Sequence, residues 1–191
     1  MIGHDNADLL RQIDNLPVGL PDGFSRLQRE WLADETGDVG DVKLSFDISG
    51  LDGFTSADPL DYRILIDEDG DGDFQTGTVV QIDPDNINGD VLEFDNISFS
   101  NDGGGKDIFT FAVRSTITWN GSVDSDWSNP ANWDGGAVPT EFDSVEVPDV
   151  TNDPEVGSSM TGVDAAKCLN LNVQSGANLT VNGELILTEG N

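Results

Sequence analysis

The stretch with the densest chemistry runs from Asp67 to Phe74 and reads Asp-Glu-Asp-Gly-Asp-Gly-Asp-Phe. Asp67, Glu68, Asp69, Asp71 and Asp73 crowd their charges into one short segment. Like charges at this spacing repel, and water screens them only in part. A cation bound among them would remove that penalty. Carboxylate oxygens are hard ligands, which favours Ca²⁺ over Zn²⁺ or copper. Asp67, Asp69, Asp71 and Gly72 fall at positions 1, 3, 5 and 6 of an EF-hand loop, where three side chains point inward and a glycine allows a sharp turn. The match stops there, because position 12 is Thr78 rather than a bidentate Glu. The expectation is a strand-loop Ca²⁺ site with Asp67, Asp69, Asp71 and Asp73 as ligands. A backbone carbonyl near Gln75, or a distant carboxylate such as Asp83 or Asp85, would complete the shell. Such a site pins a turn, with affinity on the order of 10⁻⁴–10⁻³ M. The alternative is a solvated acidic hairpin tip.

The elements that must position this loop read as strands. Tyr62-Arg63-Ile64-Leu65-Ile66 alternates and branches like a buried strand leading into the acidic run. Ser25–Asp34 reads as another strand, with Trp31 as a core anchor. Val42–Ile48 alternates cleanly, and the two stretches make a plausible antiparallel pair. Short strands follow at Thr78–Ile82, Val91–Phe94, Ile97–Phe99 and Asp107–Arg114. Glu35–Asp41 and Asn101–Gly105 read as turns. The segment Asp8–Ile13 suits one helical turn or an edge strand. The pattern predicts an all-β domain over residues 1–116, an antiparallel β-sandwich with Val42, Leu44, Phe46, Ile64, Ile66, Phe109 and Phe111 facing inward.

The vocabulary changes after Thr116. Trp119, Trp127 and Trp133 cluster among Asn, Asp, Gly and Pro. Ser144–Val147, Cys168–Val173, Ala177–Val181 and Glu184–Thr188 are short runs that alternate apolar residues with Asn or Thr, separated by polar corners. Residues 117–191 therefore predict a short β-solenoid-like segment or a small β-sandwich. The three tryptophans have two readings. They could plug the end of the solenoid, or they could form a sugar-stacking platform, since flat aromatic faces beside Asn and Asp suit carbohydrate. Asp124, Asp126 and Asp143 are weaker candidates for a second cation. Cys168 reads as a small buried apolar group.

Composition narrows the function classes. The 191 residues carry 37 acidic and 8 basic side chains, a net charge of −29. Phosphate backbones and anionic membranes repel such a chain, which excludes non-specific nucleic-acid binding as a main activity. One cysteine excludes an internal disulfide, and one histidine argues against a Ser-His-Asp triad or a His-rich zinc site. No apolar run approaches the length of a membrane span. A glycosidase needs two carboxyls facing across a cleft at roughly 5–9 Å, and nothing in the sequence marks such a pair. The expectation is a non-enzymatic protein. Met1–Asp5 lacks the basic start and apolar core of a signal peptide. With an unfinished solenoid array, this suggests an excised piece of a longer secreted protein whose partners are neighbouring domains, surface glycans or copies of itself.

Residues 26–47, the Leu65–Phe74 run and Phe109–Ala112 together resemble a β-sandwich module of large secreted, adhesin-like surface proteins of Bacteroidota. Residues 119–191 look like the tryptophan-rich opening of a β-solenoid in the same class. They share the Trp-Asn-Gly start, Asn132-Trp133-Asp134-Gly135-Gly136-Ala137-Val138-Pro139, and the Leu169–Val173 and Ala177–Gly183 ending. The resemblance implies export by the type IX route, display on the bacterial cell surface, and a structural or adhesive role. A carbohydrate-binding module using Trp119, Trp127 and Trp133 is the alternative.

Overall fold

A computed structural model describes residues 2–21, 23–34, 39–100 and 107–188. The chain is all-β; its described helical content is three 3-10 turns. It divides into two compact units, Met1–Arg114 and Ser115–Gly190. The turns expected at Glu35–Asp41 and Asn101–Gly105 fall largely outside the described residues.

The first unit contains β1 (Ile2–His4), β2 (Arg11–Gln12), β3 (Phe24–Leu27), β4 (Trp31–Ala33), β5 (Val42–Asp47), β6 (Tyr62–Asp67), β7 (Val79–Ile82), β8 (Asn86–Asn88), β9 (Val91–Ile97) and β10 (Asp107–Arg114). Its larger sheet is centred on β10, which pairs antiparallel with β6 along one edge. The other edge is shared: β4 pairs with Asp107–Phe109 and β3 with Ala112–Arg114. The single strand expected over Ser25–Asp34 is thus two strands, interrupted at Gln28–Glu30. Thr110 faces the break, where its hydroxyl lies within donating distance of the Leu27 and Arg29 carbonyls, at 3.1 and 2.8 Å. The expected pairing of this stretch with Val42–Ile48 also fails. β5 lies in a second antiparallel sheet, β5-β9-β8, and pairs with β9. Arg11–Gln12 forms an edge strand on β3, which settles the Asp8–Ile13 alternative.

The two sheets close on one hydrophobic core. All seven residues expected to face inward belong to it, with Ile64, Ile66, Phe109 and Phe111 buried and Val42, Leu44 and Phe46 packed against them. Phe46 stacks on Phe111 at 3.8 Å between centroids, and Trp31 sits edge-on to both. The outer face of the larger sheet is covered as well. Phe24, Leu65, Phe74 and Ala112 form a second cluster there. A strand covered on both faces loses its polar alternation, which accounts for the unbroken Ile64-Leu65-Ile66.

The second unit contains β11 (Thr116–Thr118), β12 (Ser144–Val147), β13 (Glu155–Val156), β14 (Ala166–Cys168), β15 (Asn170–Val173), β16 (Thr180–Val181) and β17 (Leu185–Leu187). Every pair among these strands is parallel: β11-β12-β15, β13-β16 and β14-β17. Parallel pairing separates this unit from the antiparallel ladders of the first. The arrangement is solenoid-like, with the turn of chain carrying β15–β17 stacked on the turn carrying β12–β14. Side-chain amides of the upper turn reach carboxylates of the lower one: Gln174 to Glu146 at 2.6 Å, Asn182 to Glu155 at 2.8 Å and Asn178 to Asp153 at 3.0 Å.

Candidate metal centre

β6 ends at Asp67 and delivers that carboxylate into the interior, where it is fully buried. The chain then turns sharply through Gly70 and Gly72, at φ +68° and +80°. These left-handed values fit glycine. Asp67 Oδ2 accepts the Gly72 N–H at 2.8 Å, closing the turn. Asp67 Oδ1 is buried and has no hydrogen-bond partner. Ligand oxygens of Asp67, Asp69 and Asp71 all lie within 4.8 Å of one another, the latter two exposed.

The electrostatics of this triad are unfavourable on their own. Burial, above all, and then the neighbouring Asp69 and Asp71 push the Asp67 carboxyl up to about 6, against the lowering effect of the Gly72 N–H. A buried carboxylate oxygen with no donor costs free energy unless a cation or proton satisfies it. The donor set is all oxygen and all anionic, which suits a hard divalent cation such as Ca²⁺. Asp67, Asp69 and Asp71 would hold it.

Asp73 lies outside this triad, although Asp69 and Asp71 accept turn N–H bonds too, from Asp71 at 3.4 Å and Asp73 at 2.7 Å. The Asp73 oxygens accept from the Gln75 N–H at 3.0 Å and the Thr76 hydroxyl at 3.1 Å, so it closes the next turn. Asp83 is ion-paired with Arg63, and Asp85 accepts the Asp95 N–H at 2.7 Å. Two contributors had no signal in the sequence. Asn15, far off in the chain, donates from its amide to the Gly72 carbonyl at 2.8 Å. Gly77, at φ +66°, leaves room for Asp69: a Cβ there would collide with the Asp69 carboxylate.

The tryptophan cluster is a core. Trp119, Trp127 and Trp133 are 0%, 0% and 2% exposed. Trp133 meets both others edge to face, at centroid distances of 4.9 and 4.7 Å, a favoured aromatic geometry. Trp119 donates from its indole to the Asn152 carbonyl at 2.7 Å, and Trp133 to the Trp127 carbonyl at 2.8 Å. A sugar-stacking platform needs an exposed ring face, and none of the three offers one. This corrects the carbohydrate alternative. The nearby carboxylates are also engaged. Asp124 accepts from the Asn132 amide, the Asp126 N–H and the Asn129 amide, which hold its carboxyl below the usual range. Asp126 accepts from Ser128, and Asp143 from the Thr140 N–H and hydroxyl. Cys168 is buried, and burial pushes its thiol up to about 11.

No curated protein and no solved structure matches the chain. Residues 118–190 match a family described as Domain of unknown function (DUF8693), which coincides with the solenoid-like unit. Residues 1–103 match a second, Domain of unknown function (DUF8202), which takes in the acidic loop and most of the sandwich. That match spans more than half of the sequence, and the chain belongs to the DUF8202 family.

Proposed function

We propose that this protein is a non-enzymatic structural or adhesive module of an extracellular bacterial surface protein or filament, stabilised by Ca²⁺ at Asp67, Asp69 and Asp71. The observation that carries the cation is Asp67 Oδ1, a buried carboxylate oxygen without a partner beside two further carboxylates. That chemistry supports an extracellular setting. A weak all-carboxylate site fills where Ca²⁺ is millimolar. The charge of −29 and the resemblance to secreted adhesin-like modules support the same setting. No helix among the described residues is long and apolar enough to cross a membrane.

Thermal unfolding in millimolar CaCl₂ against excess chelator tests the proposal. At millimolar Ca²⁺ a site with a Kd of about 10⁻⁴ M gains roughly 1.4 kcal/mol, a rise on the order of 5 °C for a domain of this size. The double variant Asp69→Ala/Asp71→Ala should not respond. Identical wild-type melts in both buffers would overturn the cation site.

A further inference from the structure

An asparagine followed by glycine is chemically labile, because glycine has no side chain to shield its own N–H. Once deprotonated, that nitrogen can attack the asparagine side-chain carbonyl. The chain has three such steps, Asn88-Gly89, Asn120-Gly121 and Asn182-Gly183. The attack makes two structural demands. The asparagine amide must be free to turn, and the glycine N–H must not be held in a hydrogen bond.

Two of the three steps fail both demands. The Asn120 amide donates to Asp134 at 3.0 Å, and its oxygen accepts the Ser122 N–H at 3.0 Å. The Gly121 N–H donates to the Asn132 carbonyl at 3.2 Å. The Asn182 amide donates to Glu155 at 2.8 Å, and the Gly183 N–H to the Val156 carbonyl at 3.1 Å. Gly183 is also packed so closely that a Cβ there would collide with the Gly157 and Met160 carbonyls.

Asn88 differs on each point. It is exposed, and among the described residues nothing hydrogen-bonds to its side chain or to the Gly89 N–H. Asn88 pairs with Val91, which leaves Gly89 and Asp90 as a two-residue hairpin loop. Gly89 takes the first central position at φ +60°, where glycine is favoured, and open space surrounds it. β8 is three residues long and pairs with β9 alone. Opening so short an edge costs little, and it frees the Asn88 backbone to bring Cγ to the Gly89 nitrogen.

We propose that Asn88 is a site of spontaneous deamidation in the folded protein, while the fold protects Asn120 and Asn182. The Gly89 amide gives its proton to solvent, and its nitrogen bonds to Asn88 Cγ. The Cγ–Nδ2 bond breaks, and Nδ2 leaves as ammonia with a proton from solvent. One water then opens the cyclic imide. Breaking the bond from nitrogen to Cγ leaves aspartate. Breaking the bond from nitrogen to the Asn88 backbone carbonyl carbon leaves isoaspartate, with the chain rerouted through the side chain. Isoaspartate lengthens the backbone at the end of β8, so the register with β9 slips and Ile87 loses its packing against the sandwich core. The modification rests on neither the cation nor the extracellular setting.

Peptide mapping of the whole chain by mass spectrometry, after weeks at neutral and at mildly alkaline pH, tests this. The expected result is deamidation at Asn88 several-fold ahead of Asn120 and Asn182, and faster at the higher pH, because the attacking nitrogen must lose its proton. In denaturant the three sites should react at similar rates. Equal rates in the folded protein would overturn the proposal, and so would an intact Asn88 in the folded protein. The same lead for Asn88 in denaturant would also overturn it, since local sequence rather than the fold would then decide. Gly89→Ala should slow Asn88 and leave the other two sites unchanged, because the new methyl group crowds the attacking nitrogen. An unchanged rate in that variant would refute the cyclic route. The wild-type maps decide whether or not the variant folds.

Discussion

The guanidinium carbon of Arg26 lies 4.8 Å from the centroid of the Phe74 ring, with both side chains buried. Phe74 directly follows the acidic run, so this contact ties the far end of the loop to the outer face of the larger sheet. Arg26 is fixed in turn by an ion pair to Glu30 at 3.1 Å and bonds to the Asn15 and Leu27 carbonyls. The near end is held by β6 and the middle by Asn15. Packing therefore helps to hold the loop that carries Asp67, Asp69 and Asp71. Preorganisation of this kind would lower the ordering cost of binding a cation there.

Phe74→Ala should therefore do two things. Removing a fully buried aromatic ring costs about 3–5 kcal/mol and leaves the Arg26 cation without its π face. Ca²⁺ affinity should also fall, because the loop is no longer clamped. Phe74→Leu should recover most of both. Denaturant midpoints with a Ca²⁺ titration check this. Unchanged affinity in a folded Phe74→Ala would mean that the loop is organised by its own turns alone.

Asp67 sets a pH dependence. Its folded carboxyl is raised to about 6 from 3.8, so the folded state keeps a proton that the unfolded state has lost. Without cation, this group's contribution to stability falls as pH rises through that window and stays low above it. The difference is at most about 3 kcal/mol. Asp67→Asn can still accept the Gly72 N–H, and it carries no charge. In chelator it should melt above the wild type at neutral pH and converge with it near pH 4. In CaCl₂ the order at neutral pH should reverse. Parallel melting curves across pH in chelator would show that Asp67 is not strained.

Gly77→Ala probes the cluster from the opposite wall. The left-handed backbone alone costs an alanine roughly 1–2 kcal/mol. The new methyl group also displaces the Asp69 carboxylate, which the structure places against Gly77. The loss of Ca²⁺ response should then exceed what a turn defect explains. Gly89→Ala is the control, at φ +60° with open space around it. It should lower stability by a similar amount and leave the Ca²⁺ response intact.

How much of this was legible follows from which forces act locally. The alternation of Val42, Leu44 and Phe46 is a short-range signal and placed them on the core correctly. Asp67, Asp69 and Asp71 were legible because the loop that gathers them is continuous. Asp73 has the same residue type and spacing but lies outside the close group, which local backbone conformation decides. The break between β3 and β4 faces Thr110, more than eighty residues away. Asn15 and Gly77 act through the folded geometry alone. The tryptophans left two readings open because spacing says nothing about burial.

The buried tryptophans make an asymmetric prediction. Trp133 donates its indole N–H to the Trp127 carbonyl, while the Trp127 indole N–H is buried without an acceptor. Trp→Phe removes similar apolar volume at either site, so the polar groups decide the difference. Trp133→Phe takes the indole donor from the Trp127 carbonyl, at a cost of about 1–3 kcal/mol if that oxygen stays buried. Trp127→Phe instead removes an unsatisfied donor, which offsets part of the lost packing. Trp133→Phe should therefore be the more destabilising by about 1 kcal/mol or more, measured by urea unfolding followed through tryptophan emission. The reverse order would mean that the Trp127 N–H finds an acceptor in solution, with a buried water as the simplest candidate.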